Sequence, residues 1–384
     1  MRIMLDSGQL KRHARELAGS PSKGSIHTLA LRFLLVLLLP ILSAALVSCG
    51  RKAPGVSDTP AQAMSRSMPG GGESGEAGET GSAGFSDLNV IPPDPWEPDP
   101  SVVGKRDSTP NVLDPEVPDQ AIESSAPSLS GNDEVQLDFT HIKDGYFSAR
   151  FPGESKRVKL QVTGPNSVTY TYDLIPGDTR FQVIPFTVGS GTYKVGVYSN
   201  IEETMYATVF CEELDVQLAD EFAPFLYPNQ YVWFEQDTEA ISLSEKVCAS
   251  ADNDLDAVTN VYYYVTTHVV YDWHEAETVQ SGYLPDVDEV LDTGKGICFD
   301  YAALMAAMLR SQNIPTRLEI GYAGTAYHAW ISTYITDIGW VDGIIQFDGE
   351  SWSLMDPTLA SQNGSDDFTE FIGDGSNYQL CYMY

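Results

Sequence analysis

The chain has 384 residues, 42% of them hydrophobic, and 22 lysines and arginines against 54 acids give a net charge of -32. A chain of that length can bury one substantial core or two. Its field repels phosphate backbones and anionic lipid headgroups, so nucleic acid is a poor partner and any membrane attachment must come from something other than charge.

The first 48 residues supply such an attachment. Arg2, Lys11, Arg12, Arg15, Lys23 and Arg32 precede the apolar run Phe33 to Leu42, and Leu46-Val47-Ser48-Cys49 follows. A basic region, a short apolar stretch and small residues describe an export leader rather than a membrane span. The ending resembles the bacterial lipobox, which implies cleavage before Cys49 and lipid on its thiol. The expected location is the extracytoplasmic face of the cell membrane, where acyl chains hold an acidic body at the surface.

Residues 49–133 change composition. Met68-Pro69-Gly70-Gly71-Gly72-Glu73 and Pro92-Pro93-Asp94-Pro95-Trp96-Glu97-Pro98 typify a stretch too poor in apolar surface to offset the entropy of ordering it. It reads as a disordered, partly polyproline tether, with Trp96 a solvated aromatic.

Over 134–228 short period-two runs follow, such as Arg157 to Val162, Val168 to Tyr172 and Gly191 to Tyr198, separated by turns such as Gly164-Pro165-Asn166 and Pro176-Gly177-Asp178. They predict an all-β, Ig-like sandwich. Cys211 in a strand and Cys248 in a helix read as small buried hydrophobes, and with Cys298 and Cys381 their wide spacing gives no disulfide framework.

From 229 to 384 the period becomes helical. Val258, Val261, Tyr262 and Val265 form one apolar stripe expected to pack on a later helix. Asp286, Asp288 and Glu289 lack EF-hand spacing and read as a solvated acidic face, so neither metal nor cofactor is expected.

The later helix opens at Cys298, right after Gly294-Lys295-Gly296-Ile297. It should run to about Gln312, ended by Asn313 and Pro315. Its apolar middle, Ala302 to Leu309, marks a buried central helix, and the unsatisfied N–H groups and positive dipole at its start favour a thiolate at Cys298. Two strands follow. Alternation puts His328 and Trp330 on one face of the first, and Trp352, Leu354 and Asp356 together on the second. If those strands neighbour each other against the helix, His328 can take the thiol proton and Asp356 can orient the imidazolium. His141 lies in the β region, and spacing alone does not set aside His268 or His274.

Gly296-Ile297-Cys298-Phe299-Asp300-Tyr301-Ala302, Leu309 to Arg317, Gly321-Tyr322, His328-Ala329-Trp330 and Trp352 to Thr358 together resemble the core of the transglutaminase-like superfamily, over about residues 235 to 384. The resemblance implies a papain-related α+β fold with Cys298 as nucleophile, His328 as base and acid, and Asp356 as its orienting partner. It also implies attack on a carbonyl to give a thioester, then transfer to an amine or water. The oxyanion donor is open among the Cys298 N–H, Gln280 and Tyr283. The expected substrates are external proteins or wall peptides offering a glutamine or other amide. The other reading is a non-catalytic surface scaffold on a retired thiol fold.

Overall fold

The computed structural model describes residues 96–117, 129–280, 282–324, 326–336, 338–341, 344–347, 352–355 and 378–384. The leader, Cys49 and Asp356 lie outside these. Among the described residues no helix is long and apolar enough to cross a membrane.

The period-two runs become eight strands: β1 Leu129–Gly131, β2 Gln136–Asp138, β3 Tyr146–Arg150, β4 Val158–Thr163, β5 Thr169–Leu174, β6 Gln182–Pro185, β7 Gly191–Glu202 and β8 Met205–Val216. They form two antiparallel four-stranded sheets, ordered β1-β2-β3-β6 and β5-β4-β7-β8. Register places Leu160 opposite Tyr172 and Val197, and Val162 opposite Tyr170 and Val195. In the other sheet Leu137 faces Ala149 and Phe147 faces Ile184. Alternation thus gives each sheet one apolar face, and both faces enter one core.

Cys211 departs from expectation: it is exposed, while Cys248 is buried as anticipated. Strands β7 and β8 are twelve residues each and β8 is a sheet edge. Cys211 lies opposite Gly196, which pairs in turn with Gln161 of β4, so it sits within the sheet but on the face turned away from the buried Leu214 and Val216.

Part of the segment expected as a tether follows a fixed course. Between Trp96 and Asn111 the chain lies along the helical region, and further on Glu116 N–H donates to the Tyr146 hydroxyl of β3 at 2.8 Å. Gly104 N–H donates to Ala249 O at 2.8 Å, Arg106 N–H to Ala251 O at 3.0 Å and Asn111 N–H to Ser311 O at 2.7 Å. Arg106 Nε bonds Asp254 at 2.8 Å, and its guanidinium also reaches Gln312. A Cβ on Gly104 would sit 1.9 Å from Ala251 O, so only glycine allows this approach. Trp96 packs against the core. Polar composition hid the strap because its bonds come from residues far along the chain.

Helices α1 Glu239–Cys248, α2 Asp254–His268, α3 Trp273–Thr278, α4 Val287–Thr293 and α5 Cys298–Ser311 follow, with two-residue strands β9 Val270–Tyr271 and β10 Lys295–Gly296 between them. Every residue of α5 is buried. Full burial of Leu304, Met305, Met308 and Leu309 stabilises the fold by about 2 kcal/mol for each. The stripe Val258, Val261, Tyr262 and Val265 is buried, and α2 packs against α5 as the period implied. Asn313 takes a left-handed conformation, φ 59°, beyond the end of α5.

Strands β11 Thr316–Ala323, β12 Ala326–Ile335, β13 Gly339–Val341 and, from the end of the chain, β16 Tyr378–Met383 form an antiparallel sheet ordered β13-β12-β11-β16. A separate pair joins β14 Ile344–Phe347 to β15 Trp352–Met355. Helix α5 lies against β11 and β12. An aromatic seam ties the β5 edge to this region: Tyr170 meets Tyr382 and Tyr384, each at 5.6 Å between ring centres, and Tyr231 meets Tyr384 at 4.4 Å and Phe299 at 5.7 Å.

Candidate active site

The turn into α5 is built from both sides. Asp286 accepts the N–H groups of Asp288 and Glu289 and starts α4, and Gly294, φ 61°, ends it. Strand β10 then pairs in parallel with β9, with Val270 N–H donating to Gly294 O and Asp272 N–H to Gly296 O, both at 2.9 Å. Asp300, in the third helical position, turns back and accepts the Ile297 N–H at 2.7 Å. Gly296 is required here, since a Cβ on it would lie 2.7 Å from Asp300 Cβ. Cys298 is thereby fixed as the first residue of α5, wholly buried at the positive end of the helix.

His328 lies on β12, which packs against α5, so cysteine and histidine sit on adjoining elements. The imidazole is 5% exposed, 6.3 Å from the Trp330 ring and 6.5 Å from Tyr378. Trp330 is itself held: its Nε1–H and the Ser332 hydroxyl both donate to Glu319 Oε2 at 2.7 Å. Register sets Glu319 opposite Trp330 and Gly321 opposite His328. Asp356 and Cys49 fall outside the described residues. Among the described residues the strand leading to Asp356, β15, pairs with β14 and not with β12.

The other described histidines lie elsewhere. His141 stacks on Tyr146 and bonds Asp144 at 2.8 Å. His268 stacks on Tyr264 and reaches Glu97 of the strap at 3.2 Å. His274 is exposed on α3. Of the two side chains considered for an oxyanion donor, the Gln280 amide turns back to Thr278 O and the Tyr283 hydroxyl donates to Asp300 Oδ1 at 2.6 Å.

An open cleft of about 580 Å³ lies beside this turn, lined by Asp272, His274, Glu275, Gln280, Gly282 and Tyr283 among others. Burial lifts the Asp300 carboxyl to about 7, although bonds from Tyr283 and Ile297 favour its anion. Burial also raises Glu275. Asp300, Glu275 and Glu319 were not singled out from sequence. Asp300 could have been, because an acid in the third helical position is a capping signal. Among the described residues no cluster of three metal-binding side chains occurs.

A helix that opens at Cys298 and lies on an antiparallel sheet gives a mixed α and β fold. More narrowly, residues 241–343 match the model of the Transglutaminase-like superfamily, so the chain carries a transglutaminase-like domain. The match takes in Cys298 and His328 and ends before β14. No curated protein matches the chain. Solved structures match at a distance. A candidate cysteine protease from Cytophaga hutchinsonii is 18% identical, covering 52% of this chain and 65% of its own, with TM-score 0.33. Red sea bream transglutaminase is 12% identical, covering 56% of this chain and 48% of its own, with TM-score 0.25.

Proposed function

We propose that the chain is a thiol acyltransferase or amidase acting on protein or peptide amides, with Cys298 as nucleophile, His328 as base and acid, and Asp356 orienting the imidazole. The observation that carries this is the placement of Cys298 at the start of a buried helix that packs on the strand of His328, inside the transglutaminase-like match. Sγ attacks a carboxamide carbon, the nitrogen leaves as ammonia or amine with the proton His328 holds, and a thioester forms. An incoming amine or water then releases the acyl group and returns the proton. An Ig-like sandwich from β1 to β8 would space or present this domain. Lipid on Cys49 would hold it at the outer membrane face, with the stretch before Trp96 as tether.

The test is mass spectrometry of the full chain incubated with a glutamine-containing peptide, with and without a primary amine. An acyl adduct on Cys298, ammonia release and loss of both in Cys298→Ser are expected. Amine incorporation against plain deamidation separates transfer from hydrolysis. The full burial of Cys298 favours the alternative of a non-catalytic scaffold. Absence of any adduct, with peptide binding retained by Cys298→Ala, would establish that alternative. For the anchor, Cys49→Ser should move the protein from the membrane to the soluble fraction.

A further inference from the structure

The imidazole of His328 stands beside an indole. Trp330 lies two residues along β12 on the same face, its ring 29° from the plane of the imidazole and 6.3 Å away between centres. Three neighbours fix that indole. Glu319 Oε2 accepts its Nε1–H at 2.7 Å, Tyr378 meets it edge-on at 5.2 Å, and Gly321 leaves room for its far side. A Cβ on Gly321 would lie 2.8 Å from Trp330 Cη2 and would run into Gln379 O. The residue opposite His328 in register is thus bare where the indole has to pass.

Glu319 is the unexpected member of this group. It is 4% exposed, and its neighbours Leu318 and Ile320 are wholly buried. An acid in such a place costs free energy unless donors satisfy it. Strand β12 supplies two on the same oxygen, the Trp330 Nε1–H and the Ser332 hydroxyl. A buried acid held this way is weak evidence for stability, since an apolar residue of similar size often serves as well. What an apolar residue lacks is an acceptor for the indole.

We propose that Glu319 is a positioning residue for His328 and acts through Trp330: the carboxylate sets the indole, and the indole sets the angle at which the imidazole is presented. This deepens the reading of His328 as base and acid and rests on it. The role of the carboxylate is indirect. It serves the geometry of one proton transfer, where a displacement of about 1 Å can cost on the order of 100-fold in rate. Its loss should therefore fall on kcat and spare KM.

The experiment follows two signals in the full chain. One is the Hε1 resonance of His328, assigned by its loss in His328→Gln and sensitive to the rings beside it. The other is kcat and KM for a glutamine-containing peptide. Glu319→Met, which fills the space without an acceptor, should move the resonance and cut kcat by about 10- to 100-fold at constant KM. Glu319→Gln, whose amide oxygen can accept the same N–H, should restore both. Ser332→Ala removes the other bond to Glu319 and leaves the indole in place, so it should lower the melting temperature without moving the resonance or kcat. An immobile resonance in Glu319→Met, no rescue by glutamine, or an equal effect of Ser332→Ala overturns the proposal. Should Glu319→Met fail to fold, Trp330→Phe and Ser332→Ala decide: each removes one donor, and only Trp330→Phe should lower kcat. A moved resonance with no turnover by the parent sinks the function and spares the positioning. Turnover with an immobile resonance does the reverse.

Discussion

Asp288 caps a helix it does not belong to: from α4, its Oδ2 accepts the N–H of Glu239 at 3.0 Å and its Oδ1 the N–H of Ala240 at 3.1 Å, at the start of α1. The acid that could suggest a cation site thus satisfies orphan amides of a neighbouring helix. Asp288→Ala should cost about 1 kcal/mol in chemical denaturation. Neither calcium nor a chelator should move the parent's melting temperature; a calcium-dependent rise would contradict the capping role.

The strap depends on one close approach and one cation. Gly104→Ala puts a methyl into Ala251 O, and Arg106→Ala removes the contacts to Asp254 and Gln312. Either change should speed proteolysis between Trp96 and Asn111 by at least about tenfold, the parent being protected over that stretch. Equal cleavage of parent and variants would mean that the strap does not hold in solution.

The thiols should separate by labelling at pH 8. Burial pushes the Cys248 thiol up to about 12, so its thiolate is scarce and its alkylation should wait for unfolding. Cys211 is exposed and should react at an ordinary rate in the native protein. If Cys298 is activated, it should react far faster than Cys248, which is equally buried, and Cys248 is therefore the control that access makes fair.

Asp300 also sets a pH dependence of stability. Its carboxyl is raised from an ordinary value near 4 to about 7, so between those values the folded state binds the proton more tightly than the unfolded state. Stability from this group is full below about pH 4 and declines as pH rises to 7, at about 1 kcal/mol per pH unit. Asp300→Asn should flatten that slope in urea titrations at successive pH values. An unchanged slope would place the proton elsewhere.

The local periods of the sequence carried a large part of this architecture. Glycine before Cys298, asparagine and proline after Gln312 and an apolar interior marked α5 almost to the residue. Alternation likewise marked β12. Tertiary satisfaction of polar groups was not legible. Nothing near Asp288 announces that its carboxylate serves Glu239, and nothing near Arg106 announces Asp254 and Gln312. Cys211 misled because alternation separates a strand's two faces but does not say which of them meets the core. Asp300 was visible as a letter of the motif, yet its partnership with Tyr283 needed the loop that folds back over the helix start.

The aromatic seam has a thermodynamic consequence. Tyr170 and Tyr172 belong to a sheet, Tyr231 to the connecting segment, Phe299 to the helix that opens at Cys298 and Tyr384 to the end of the chain, and their rings touch in sequence. The Tyr231 hydroxyl also donates to Thr171 O at 3.1 Å. Rings shared in this way cannot be lost from one side alone, so the β region and the helical region should melt in a single calorimetric transition. The residue after the cysteine is thus one link in the cooperativity of the whole body, and a substitution on β5 should be felt in the firmness with which Cys298 is held.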